Sequence, residues 1–179
     1  MKLKKLVLLS LFTAISLSTN GQEASAQSGS DQSTSTNAEI TIQENASQLP
    51  MQGLDPYFTG QVRVEPVFQP KGGARAGGAN VTFEPSARTN WHTHPLGQTL
   101  VVTKGKGWVM QWGGERKVIE PGDVVHIPAH VKHWHGATDK TAMSHLAIQE
   151  ALDGQVVNWM EAVTDAQYTL SASATTSAQ

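Results

Sequence analysis

Trp91-His92-Thr93-His94-Pro95-Leu96-Gly97-Gln98 sets two histidines two residues apart with a glutamine four residues further on, and Lys132-His133-Trp134-His135 repeats the His-x-His spacing. In an extended strand, residues two apart face the same side, so each pair aims two imidazoles in one direction. His145, Ala147 and Gln149 share a face in the same way on a later run. Around these stretches lie short segments rich in Val, Thr, Ile and Trp, at residues 61–68, 79–83, 98–103, 108–112, 117–119, 123–127, 133–137 and 142–149, separated by Gly, Pro and Asn. This pattern predicts an all-β domain of antiparallel strands, a sandwich or barrel closed or nearly closed on itself. Lys104-Gly105-Lys106-Gly107, Gly113-Gly114 and Pro121-Gly122 read as hairpin turns. Only residues 156–163 read as helical, a short C-terminal helix packed on the outside.

The histidine pairs need partners. All seven histidines of the 179-residue chain fall between His92 and His145, and there is no cysteine. Disulfides, thiolate nucleophiles and thiol-rich metal sites are therefore excluded, and any metal must sit on nitrogen and oxygen. Burying several imidazoles without partners costs a few kcal/mol each, whereas a bound cation gives the ring nitrogens something to coordinate. One His-x-His alone is equally well explained by surface histidines. Two of them on separate predicted strands, with a glutamine at ligand spacing, favour one interior cluster. His126 and His130 flank Pro128 and read as partly exposed structural residues, while Trp91, Trp108, Trp112 and Trp134 read mainly as core or rim packing. Thirteen Lys plus Arg against fifteen Asp plus Glu give a net charge of −2, which offers no basic excess to attract phosphate backbones, so nucleic acid is not an expected partner.

The chain ends read differently. Lys2, Lys4 and Lys5 precede an apolar run over residues 6–17, and Ala24-Ser25-Ala26 has the small-x-small form of a signal-peptidase site. Residues 1–26 are expected to be a cleaved signal peptide, since a membrane span needs ~20 apolar residues and Ser16, Ser18, Thr19 and Asn20 interrupt this run. The mature protein is then exported, periplasmic or secreted, without a stable membrane anchor. Its net charge moves from −2 to −4 as three lysines and Glu23 leave. Residues 27–48 read as a disordered leader and 171–179 as a flexible tail, leaving 49–170 as a single domain.

Two longer patterns now reach a family. Ser86-x5-His92-x-His94-x3-Gln98-x6-Gly105 resembles the first cupin motif, and Gly122-x5-Pro128-x-His130-x2-His133-x3-Ala137 resembles the second. The departures are Ser86 and His130 for glycines, Ala137 for asparagine and Gln98 for glutamate. Histidine tolerates positive φ better than most residues, so the turn at His130 is expected to survive. The core from Tyr57-Phe58-Thr59-Gly60 through His133-Trp134-His135-Gly136-Ala137 to His145-Leu146-Ala147-Ile148-Gln149-Glu150 is similar to the bacterial cupin hydroxynitrile lyases. The resemblance implies a single-domain double-stranded β-helix, or jelly-roll barrel. It also implies Mn²⁺ bound by His92, His94, Gln98 and His133, with His135 as acid/base and His145 and Gln149 lining the pocket beside Ala79 and Val81. Cupins are often dimers or tetramers, so it further implies a homo-oligomer.

The residues agree with this chemistry as far as they go. Three neutral imidazoles and an amide oxygen suit Mn²⁺, Fe²⁺, Co²⁺, Ni²⁺ or Zn²⁺. Gln98 is neutral, so the ion would keep its full charge, which favours polarising a substrate oxygen over activating O₂. A carbon–carbon lyase acting on small cyanohydrins such as mandelonitrile is the expected function. A cupin dioxygenase and a non-catalytic periplasmic binder remain alternatives on the same scaffold.

Overall fold

The computed structural model describes residues 39–44, 49–53 and 55–170. The signal peptide, most of the leader and the tail expected from the sequence lie outside the described residues. In chain order the elements are β1 (Met51–Gln52), β2 (Phe58–Thr59), β3 (Val62–Phe68), β4 (Ala76–Phe83), β5 (Arg88–Thr89), β6 (His92–Thr93), β7 (Gln98–Gly105), β8 (Gly107–Gln111), β9 (Arg116–Ile119), β10 (Val124–Ile127), β11 (His133–Ala137), β12 (Met143–Glu150), β13 (Asn158–Trp159) and α1 (Asp165–Thr169). Every long strand expected from composition is present, with ends displaced by three residues at most.

Among the described residues the strands form two sheets. One runs β1-β3-β4-β12-β7-β10; in the other β11 is the hub, pairing with β5, β6 and β8, while β13 joins β6, β2 joins β5 and β9 joins β8. All the pairings between strands are antiparallel. The core lies between the sheets: Val62, Val81, Phe83, Leu100, Val102, Ile127, Met143 and Ala147 come from the first and Ile119 and Ala137 from the second. Alternation assigns the faces of β11. His133 and His135 point into the barrel, so Trp134 between them points outward, where it packs with Trp91, Met110, Val163 and Tyr168. Two tryptophans beside the histidine pairs are thus buried packing residues, while Trp112 is half exposed and meets Trp91 edge-on.

Three local expectations are corrected. Residues 156–163 are not helical: Asn158–Trp159 pairs with His92–Thr93 as β13, consistent with the two β-branched residues Val156 and Val157 that precede it. The helix starts later, at Thr164, whose hydroxyl accepts from the Gln167 N–H while the Gln167 side chain accepts from the Thr164 N–H. That capping box, Thr164-Asp165-Ala166-Gln167, was the local signal for the true start. Buried Arg88 ties the helix down, donating to Val163 O and to Asp165 Oδ1 at 2.7 Å. The third concerns the turns. Gly113-Gly114 joins the paired strands β8 and β9, but residues 104–107 and Pro121-Gly122 carry the chain from one sheet to the other, because β7 does not pair with β8 nor β9 with β10. Local composition encodes a tight turn there, and Gly105 (φ 73°) and Gly122 (φ 96°) make it. Which strand the chain pairs with next is a non-local matter.

Candidate metal centre

The geometry starts from strand register. His92 on β6 lies opposite His133 on β11 and, on its other side, opposite Trp159 on β13, so cross-strand neighbours bring the two motifs together. Gln98 opens β7 and lies opposite Gln149 on β12. His145 and Ala147 on β12 lie opposite Val81 and Ala79 on β4. The turns that the motif departures put in question are both formed, with Ser86 at φ 69° and His130 at φ 63°.

The result is one buried cluster. His92, His94, His133, His135, His145 and Gln98 are all buried. Ring centroids lie 4.1 Å apart for His92–His133, 5.2 Å for His92–His94, 5.7 Å for His94–His133, 5.4 Å for His92–His135 and 4.8 Å for His135–His145. One ring nitrogen from each of His92, His133 and His135 lies within 4.8 Å of the other two, so the structure groups His135 with His92 and His133 where the motif spacing put His94. His126 and His130 are exposed and stay outside the cluster.

Three of these rings are held the same way. His92 Nδ1–H donates to Asn90 O at 2.9 Å, His94 Nδ1–H to Val156 O at 2.6 Å and His133 Nδ1–H to Val131 O at 2.9 Å. Each backbone carbonyl fixes the tautomer, which leaves Nε2 as a free lone pair. Gln98 Oε1 sits 3.3 Å from His133 Nε2, which brings the amide to the same point as the imidazoles. Burial lowers each of these three imidazoles, His92 well below its usual range with the neighbouring His133 and His94 adding to the effect, His94 less so and His133 to about 4. The donors are therefore neutral and available at neutral pH.

His135 and His145 are arranged differently. His135 Nδ1 lies 3.2 Å from His145 Nε2, so one proton is shared between two rings. Burial lowers His135 well below the usual value, with His145 as the next cause, and takes His145 to about 4. His94 Nε2, His135 Nε2, His145 Nδ1 and Gln149 Oε1 are buried and have no partner. Four unpartnered polar atoms around one cavity are what a site awaiting a cation and a polar substrate would show. The nitrogen and oxygen donor set fits a divalent ion, and the three-histidine group of His92, His133 and His135 is compatible with one.

The adjoining cavity, of about 160 Å³, is lined by Ala79, Val81, His135, His145 and Gln149 and also by residues that sequence reasoning passed over: Phe58, Phe83, Thr89, Val156, Val157 and Trp159. Thr89 Oγ1 accepts from the His135 N–H at 3.2 Å and so braces β11. Trp159 was hidden by the helical reading of its segment. The period-two spacing of Val157 and Trp159 was the signal for a strand.

Two antiparallel sheets around buried histidines from two separated motifs define a class. The chain belongs to the cupin family: a family model described as cupin domain matches residues 79–149. Among particular relatives, an (R)-mandelonitrile lyase from Granulicella tundricola is 58% identical over 129 residues, covering 72% of this chain and 98% of that protein. The solved structure of a cupin-like protein from Thermotoga maritima is 37% identical with a TM-score of 0.62, covering 72% of this chain and 95% of its own. A polyketide cyclase from Streptomyces resistomycificus, at 14% identity and TM-score 0.57 over 73% of this chain and 91% of its own, shares the fold alone.

Proposed function

We propose that this chain is a metal-dependent carbon–carbon lyase that cleaves cyanohydrins, mandelonitrile among them, to an aldehyde and cyanide. One observation carries the reading: three imidazoles locked by Nδ1–H bonds to backbone carbonyls present their Nε2 atoms beside Gln98, and a two-histidine proton pair faces the adjoining cavity. The relative named (R)-mandelonitrile lyase supports it. A divalent ion on His92, His94, Gln98 and His133, Mn²⁺ by family resemblance, would supply Lewis acidity toward a hydroxyl oxygen.

The chain's own residues do the rest. His135 Nε2, unpartnered and neutral, accepts the hydroxyl proton. The electrons of that O–H bond form the carbonyl, the C–C bond breaks, and its pair leaves with cyanide. His145 and Gln149 face the departing nitrile, and a proton returned from the histidine pair completes HCN. Ala79, Val81 and Ala147 keep that wall small and apolar. The reading includes export, supported by the signal-peptide pattern of residues 1–26, and a small molecule as the partner. Metal analysis of the purified protein, coupled to cyanide release from racemic mandelonitrile, tests it. Stoichiometric metal with cyanide release and no O₂ uptake is expected; O₂ consumption, or saturable binding without cyanide, would overturn it.

A further inference from the structure

The cavity has an aromatic wall that neither histidine motif supplies. Phe58 on β2 and Trp159 on β13 line it, and both strands lie outside the family match at residues 79–149. Their rings form a connected set. Tyr57 stacks on Trp159 at 5.0 Å and 24°, Phe58 meets Trp159 edge-on at 5.5 Å, and Phe83 lies 6.3 Å from Phe58 and 5.7 Å from His135. Trp159 also lies 4.8 Å from His92, its cross-strand partner. An indole braced by two rings and a strand pair has little freedom to move aside, and only its part-exposed surface is left for a ligand. The space is also small: the cavity, about 160 Å³ and open on one side, counts His92, His94 and Gln98 in its lining, so an ion and the reacting carbon take part of that volume and leave little for a second ring.

We propose that Trp159, braced by Tyr57 and Phe58, is the specificity-determining residue of the site. It receives the aryl group of the substrate and limits it to a single ring, so the preferred substrates are cyanohydrins of one-ring aromatic aldehydes. This inference rests on the cyanohydrin reading above. It places selectivity on a strand that follows the cupin motifs, beside the same segment whose Val156 carbonyl orients His94.

The test compares the purified full-length chain with its Trp159→Leu, Trp159→Phe and Phe58→Leu variants. kcat/KM is measured on mandelonitrile, on the cyanohydrin of pivaldehyde and on that of 2-naphthaldehyde. Affinities for benzyl alcohol and cyclohexylmethanol are measured by NMR titration, which reads the wall without requiring turnover. An aromatic contact of ordinary strength predicts that Trp159→Leu lowers the aryl-to-alkyl ratio, in both turnover and affinity, by about 2- to 10-fold. Trp159→Leu should also raise the naphthyl-to-phenyl ratio, Trp159→Phe should restore most of the aryl preference, and Phe58→Leu should give a smaller fall. A Trp159→Leu variant with wild-type melting temperature and both ratios within about twofold of wild type would overturn the proposal; were it not to fold, an unchanged aryl-to-alkyl ratio in Phe58→Leu would do the same. Absence of cyanide from every cyanohydrin with the wild-type chain overturns the function reading instead, and the affinity ratio still decides the role of Trp159.

Discussion

A histidine that hydrogen-bonds a backbone carbonyl through one nitrogen is prepared to ligate through the other, and His92, His94 and His133 all do so. Removing one of them takes away a donor that its backbone carbonyl had already oriented, so His92→Ala or His133→Ala should lose both metal and activity, as read by metal content after purification. His135 differs because its Nδ1 meets another imidazole. His135→Ala is expected to keep the metal while turnover falls ~10²–10⁴-fold, the usual range for a lost acid/base group. Loss of metal in that variant would make His135 a ligand, which its nearness to His92 and His133 allows. The pH response follows from burial. In the unfolded chain histidines titrate near ~6.5, while in the fold His133 and His145 do so at about 4. Between those values the unfolded chain binds more protons, so stability rises with pH and is lost as pH falls from ~6.5 toward ~4. The melting temperature of chelator-treated protein should drop across that window, and a flat profile there would contradict neutral buried imidazoles.

At the level of elements, β11 carries two of the site histidines and is packed on both faces. Gly136 lies hard against the neighbouring chain: a Cβ there would come within 2.4 Å of Ala87 O and 2.6 Å of Arg88 Cα on the paired strand β5. Backbone cannot move aside as a side chain can, so Gly136→Ala should destabilise by about 3 kcal/mol, measured as a lowered denaturant midpoint at unchanged m-value. A neutral substitution would mean that β5 and β11 are free to separate. The strands themselves were legible because β-branched runs between Gly and Pro leave few other readings. Of the two-residue strands, β6 was legible in its His-x-His spacing, but β1, β2, β5 and β13 were not, because each exists only through a partner distant in sequence. Residues 156–163 show the cost of reading such a segment alone, since its Val and Trp spacing gains meaning only beside His92–Thr93.

Over the whole molecule the candidate ligands belong to both sheets: Gln98 comes from β7 in one, His92 and His133 from β6 and β11 in the other. A bound ion would therefore clamp the sandwich, and metal should stabilise the entire fold. At a free metal concentration 100 times its Kd the gain is ~2.7 kcal/mol, so chelation should lower the melting temperature by about 10 °C for a domain of this size. A shift under about 2 °C would show that the ion is not held across the sheets. The sequence alone determined the all-β architecture, the two histidine pairs and the six residues that became the buried cluster, because period-two alternation and motif spacing are local properties of the chain. The tertiary structure alone decided which turns cross between sheets, which carbonyls fix the tautomers and which aromatic residues wall the cavity. Those depend on strand pairing between segments tens of residues apart, and no short window of sequence contains both partners.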